Sequence, residues 1–110
     1  MTDRDFLGEF EHLVLLGVAR LQPDGYGTTL RQEIEDRTGR SVSVGALYAT
    51  LERLESKGLL RSKQGDPTPE RGGRSKRYFT ITPTGARALA ASRERLESMW
   101  EGVDIRPRRA

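Results

Sequence analysis

The chain contains no cysteine and only one histidine, His12. The first absence excludes a disulfide framework and any thiolate metal site, and it fits a reducing compartment. The second excludes a histidine-rich zinc site and leaves a Ser-His-Asp triad only if His12 supplies the base. His12 falls in an apolar, helix-like run, where packing is its ordinary duty. Long apolar segments are lacking as well. The longest, residues 13–19, is interrupted by Gly17 and is too short to cross a bilayer. Residues 1–8 are acidic and polar where a secretory leader needs a basic start. A soluble, cytoplasmic protein is expected. No pair of acids stands out as a catalytic dyad, because the carboxylates are scattered over helix surfaces. The stretch Gly72-Gly73-Arg74-Ser75-Lys76 lacks the spacing of a phosphate-binding loop and leads from no strand into a helix. No enzyme, cofactor or metal site is expected.

What is present is one domain's worth of chain, 110 residues, with charge set unevenly along it. Residues 1–60 carry seven Lys/Arg against ten Asp/Glu. Residues 61–77 carry six against two, and residues 78–110 six against four. Positive charge is thus concentrated on one short segment, as an electrostatic footprint on phosphates requires. A solvated loop would show the same charge, so the neighbouring helix has to decide.

Apolar periodicity predicts four helices. The first covers residues 7–22, with Phe10, Leu13, Val14, Gly17 and Leu21 at helical spacing; Pro23-Asp24-Gly25 ends it in a turn. The second runs from Tyr26 to Gly39 on a thin stripe of Tyr26, Leu30 and Ile34. The third follows Ser43, a good N-cap, and stops at Gly58. Val44, Leu47, Tyr48, Leu51 and Leu54 form its inward stripe. Strands are predicted over residues 59–63 and 77–82, with Phe79 and Ile81 on one face. Thr82 and Pro83 start the fourth helix as N-cap and first helical residue. There Leu89, Leu96 and Val103 recur at seven-residue spacing beside Met99 and Trp100, the pattern of a helix that pairs with another. The expected fold is mostly α with a small two-stranded β-wing: a winged helix-turn-helix plus a C-terminal dimerisation helix. Its divisions are residues 1–82 for DNA binding, 83–105 for dimerisation and 106–110 as a disordered tail.

The outward face of the third helix begins with Gly45, Ala46 and Ala49. A helix enters the DNA major groove only if its outward side chains let the backbone come close, and these do. Ser43 stands at the helix N-terminus, where free N–H groups and the dipole favour a phosphate. Thr50 and Arg53 are placed to touch bases or flanking backbone. Arg71, Arg74 and Lys76 of the wing are placed for phosphates or a minor groove, with Gly73 aiding the tight path. Tyr26 and Tyr48 read as structural aromatics that also send a hydroxyl toward the DNA backbone.

These motifs resemble, in order and spacing, the PadR family of winged-helix transcriptional regulators. The matching residues are Tyr26-Gly27, Leu47-Tyr48, Arg53-Leu54-Glu55, Gly58, the run from Gly73 to Tyr78, and Ile81-Thr82-Pro83-Thr84-Gly85. The resemblance implies a homodimer on an inverted-repeat operator, and repression relieved by a small-molecule effector or another signal. It implies a dimer interface of the first and last helices, here Phe6, Phe10, Leu89, Leu96, Met99, Trp100 and Val103, with an effector site in that interface. Some relatives stack flat aromatic ligands on a tryptophan. That position is expected near Leu96, one turn before Trp100, so Trp100 reads as an interface-packing residue. The chain resembles the compact subclass without a separate C-terminal domain. The alternative is a winged-helix protein-interaction module that does not read DNA.

Overall fold

Four side-chain or glycine signals set the helix ends. Ser43 Oγ accepts the Ala46 N–H at 3.1 Å, and Thr82 Oγ1 accepts the Gly85 N–H at 3.0 Å. Gly39 and Gly58 take positive φ, 72° and 76°, where a Cβ would be strained. The computed structural model describes residues 6–65 and 76–106. Within them the order is α1 (Glu9–Leu21), α2 (Gly27–Thr38), α3 (Val44–Ser56), β1 (Leu60–Gln64), β2 (Arg77–Ile81) and α4 (Pro83–Trp100). The mostly helical fold with a two-stranded wing is the one expected.

The core forms where α1, α2 and α3 meet one face of the hairpin. Val14, Leu15 and Val18 come from α1, Leu30 and Ile34 from α2, and Leu47, Leu51 and Leu54 from α3. Phe79 closes it from β2. Each such side chain contributes about 1.5–3 kcal/mol by leaving water. The strands are antiparallel, with Leu60 opposite Ile81 and Ser62 opposite Phe79. Successive strand residues alternate between faces, so Arg61, Lys63, Tyr78 and Thr80 lie on the outer one. The free edge of β2 is occupied by the α1–α2 connection: the Phe79 N–H donates to the Gly25 carbonyl at 3.0 Å, and the Ile81 N–H to Gln22 Oε1 at 2.9 Å.

Two expectations need correction. Val44 does not join the inward stripe of α3; it is 52 % exposed, because the buried arc is centred on Leu47, Leu51 and Leu54. The last helix stops at Trp100, short of residue 105, and the chain turns at Gly102 with φ 79°. Val103 therefore lies beyond the helix, and the seven-residue repeat has only Leu89 and Leu96 on it.

The first turn of α4 lies directly on the end of α3. Thr82 Oγ1 donates to the Gly58 carbonyl at 2.7 Å, and the Thr82 N–H to the Leu59 carbonyl at 3.1 Å. A Cβ on Gly85 would run into that same Leu59 oxygen, a backbone atom that cannot rotate away. Gly85→Ala is therefore expected to cost about 3 kcal/mol and to lower the thermal midpoint by more than about 10 °C. Gly45→Ala, where a Cβ meets nothing within 4 Å, should change it little. Thermal denaturation of both variants checks the contrast.

Candidate nucleic-acid interface

Helix α3 is held from behind and bare in front. Leu47, Leu51 and Leu54 are at most 1 % exposed, while Gly45, Ala46 and Ala49 are all exposed. The open space in front of Gly45 means that its lack of a side chain serves nothing inside the described fold. Tyr48, 40 % exposed, leans toward the start of α2. A Cβ on Gly27 would overlap its hydroxyl, so the Tyr26-Gly27 pair makes room for this ring and sets how closely α2 and α3 approach. The expected inward position of Tyr48 is thus replaced by a bracing position between the two helices.

At the base of the wing Tyr26 and Tyr78 meet edge to face, ring centroids 5.9 Å apart. The Lys76 ammonium sits 4.5 Å from the centroid of the Tyr26 ring. The start of α2 and the wing are therefore one aromatic and cationic unit. Arg77 is taken by other partners: it pairs with Glu55 of α3 at 2.9 Å and donates to Ser62 Oγ at 2.8 Å.

Behind α3 lies a carboxylate that sequence reasoning missed. Glu11 of α1, 8 % exposed, accepts from Arg53 Nε and Lys57 Nζ, each at 3.0 Å. Its other oxygen accepts the Gly8 N–H at 3.0 Å. Burial pushes its pKa up, but the donors from Gly8, Lys57 and Arg53 outweigh that and hold it below the ordinary 4.5. A signal existed: Glu11 falls within the apolar run of the first helix, and two cations, Arg53 and Lys57, stand four apart at the end of the third.

The opposite end of the molecule is apolar. Leu96, Met99, Trp100, Val103 and Ile105 are 48–77 % exposed, and Phe6 is 43 % exposed. Between α1 and α4 runs a groove of about 400 Å³, lined by Leu7, Leu13, Leu16 and Leu96 with His12, Ser92 and Arg95. His12 Nδ1 and Ser92 Oγ are 2.7 Å apart, and burial lowers the His12 pKa below 6.5. The Arg95 guanidinium covers the Phe6 ring at 4.1 Å.

A family model described as the transcriptional regulator PadR-like family matches residues 15–91. The chain belongs to that family. It is 43 % identical over 78 residues to the transcriptional regulator Rv3488 of Mycobacterium tuberculosis, a match spanning 71 % of this chain and 68 % of that one. A PadR family regulator from Eggerthella lenta is 28 % identical, with a TM-score of 0.68 over 86 % of this chain and 81 % of its own. A PadR family regulator from Clostridium difficile superposes with a TM-score of 0.73 at 22 % identity, over 86 % and 93 % of the two chains; at that identity it speaks to the fold alone. This is a winged helix-turn-helix regulator of transcription.

In this PadR-like chain the expected DNA contacts fall into three groups. Ser43, Gly45, Ala46, Ala49 and Tyr48 share the front of α3, and Tyr26 with Lys76 flanks it. Thr50 does not belong there. It is 3 % exposed, and its hydroxyl accepts from Arg53 Nη2 at 3.3 Å. Three residues after Leu47 and four before Leu54, it shares their buried arc. Arg53 donates to Glu11 and stays about half-exposed, its side chain 52 % accessible. Arg71, Gly73 and Arg74 lie outside the described residues. Of the expected interface residues, Phe10 and Leu89 pack on the chain's own core, and Phe10 also lies under Arg40 at 4.7 Å. The others are exposed, and Leu16 and Ile105 join them unforeseen. Among the described residues no helix is long and apolar enough to cross a membrane, and no group of His, Cys, Asp and Glu could hold a metal ion.

Because the folded pKa of Glu11 is depressed, its stabilisation is complete above the unfolded value and is lost as pH falls through the folded one. Glu11→Gln should cost about 1–2 kcal/mol at neutral pH. The gap from wild type should close as the solution is acidified through the carboxylate range. Melting curves of both proteins across that range measure it.

Proposed function

We propose that this regulator is a cytoplasmic, dimeric repressor that binds an inverted-repeat operator and releases it when a small molecule occupies the α1–α4 groove. The observation that carries the DNA reading is the front of α3. Its residues are small and exposed while its back is fully packed, a combination that lets the backbone sit deep in a major groove. Tyr26, Tyr48 and Lys76 then flank the helix as phosphate contacts, and Arg71, Gly73 and Arg74, outside the described residues, are assigned to the same DNA contact from the sequence. Residues 1–82 act as the DNA-binding unit and α4 as the dimerisation helix.

The exposed apolar end supports the dimer. So many large side chains on one surface of a small chain call for a partner, and a second copy of α4 offers the same surface in return. A two-fold pair would set two α3 helices about 34 Å apart, one turn of DNA. The α1–α4 groove adjoins that surface. It combines aliphatic walls with a few polar groups, which suits a small, largely apolar effector.

Gel retardation with DNA from upstream of the protein's own gene tests the reading. The wild type should select a fragment containing an inverted repeat over unrelated DNA, with affinity falling steeply as salt rises. Ala46→Glu should weaken the complex by about 2 kcal/mol, roughly thirtyfold, with an unchanged melting temperature. Binding indifferent to sequence would overturn the proposal. Separately, Leu96→Asp with Met99→Asp should sediment as a monomer where the wild type sediments as a dimer.

A further inference from the structure

Among the described residues, the fold divides the cations into those paired with a carboxylate and those that are not. Arg20, Arg37, Arg40, Arg53, Lys57, Arg77, Arg93 and Arg106 each pair with a carboxylate. On the hairpin this division follows the two faces. Arg77, near the inner face, is held by Glu55. Arg61, Lys63 and Lys76 make no ion pair among the described residues. Arg61 and Lys63 alternate along β1 on the outer face, opposite Thr80 and Tyr78 respectively. Together these residues line a shallow hollow whose one described carboxylate is Asp24. The Tyr78 ring lies so close over Gly65 that a Cβ there would strike it, and Lys76 beyond it sits over Tyr26.

We propose that this outer face of the wing is a second DNA surface, binding the phosphate backbone of duplex that flanks the operator. The inference rests on the DNA-binding reading and extends it. Two cations with no ion pair among the described residues, Arg61 and Lys63, and two hydroxyl donors, Tyr78 and Thr80, provide the groups that hold phosphates without reading bases. Arg61 and Lys63 are two residues apart on a strand, about 7 Å, which lets them take neighbouring phosphates of one DNA strand. Ser62 and Phe79, between them on the opposite face, are directed at α3 and the core. The cationic face is therefore turned away from the recognition helix, and the base pairs it meets are those beyond the ones α3 reads. Arg61 and Lys63 were not among the residues the sequence singled out, because charge counts along a chain do not say which cations the fold will neutralise.

The experiment compares two duplexes: one cut at the ends of the inverted repeat, the other extended by about one helical turn, 10 bp, on each side. Affinity is measured against salt for the wild type, for Arg61→Ala with Lys63→Ala, and for Arg87→Ala, an exposed cation at the start of α4 that is remote from the hollow. On the extended duplex the double variant should bind roughly tenfold more weakly, with a salt slope shallower by about 2 per protomer. On the short duplex it should match the wild type, and Arg87→Ala should match it on both. Circular dichroism guards against a folding defect, and Arg61→Lys with Lys63→Arg, which keeps both charges, should restore the slope. An equal loss on both duplexes, or no loss on either, overturns the proposal while leaving operator binding intact. Failure of the wild type to bind either duplex overturns the underlying DNA reading as well.

Discussion

The burial of Leu47, Leu51 and Leu54 beneath α3 is the interaction on which the rest of this structure depends. A helix of thirteen residues is marginal alone, because closing its first turn costs more than the later hydrogen bonds return. Here its stability comes from one apolar arc packed on α1, α2 and the hairpin. All the anchoring is on one side, so the other side needs no anchoring residues at all. That is why Gly45, Ala46 and Ala49 can be as small as they are without loss to the fold.

Electrostatics completes the same division. Glu11 draws Arg53 and Lys57 toward α1, and Glu55 draws Arg77 onto the inner side of the hairpin. Both acids act behind α3 and fasten elements to one another. Lys76, Arg61 and Lys63 stay on the outside. A chain whose formal net charge is only +3 can therefore leave positive charge on the outer face of its wing, because Glu11 and Glu55 are engaged elsewhere. The groove between α1 and α4 stands on the far side of these joints, so α1 touches both the apolar end of the molecule and the back of the recognition helix.

Much of this was readable in advance. Ser43, Gly39, Gly58 and Thr82-Pro83 mark helix ends through local backbone chemistry, which depends on a few adjacent residues. The stripes of α1, α2 and α3 follow from apolar spacing, with errors at their margins. Val44 and Thr50 were exchanged because a period of 3.6 residues leaves the edge of a buried arc uncertain by one position. Glu11 escaped notice because its partners lie forty-two and forty-six residues away. Val103 was misread because a seven-residue repeat does not reveal that Gly102 has already turned the chain.

The sequence by itself determined the order of the elements, the winged helix-turn-helix family and the small-residue face that opens α3. These rest on interactions between near neighbours or on periodic apolar patterns, and both are written linearly. Only the tertiary structure decided which cations are spoken for, that Thr50 turns inward while Arg53 pairs with Glu11, and that Tyr48 braces α2 against α3 above Gly27. Those outcomes depend on which distant side chains arrive within about 3 Å of one another, and that distance exists only once the helices have packed.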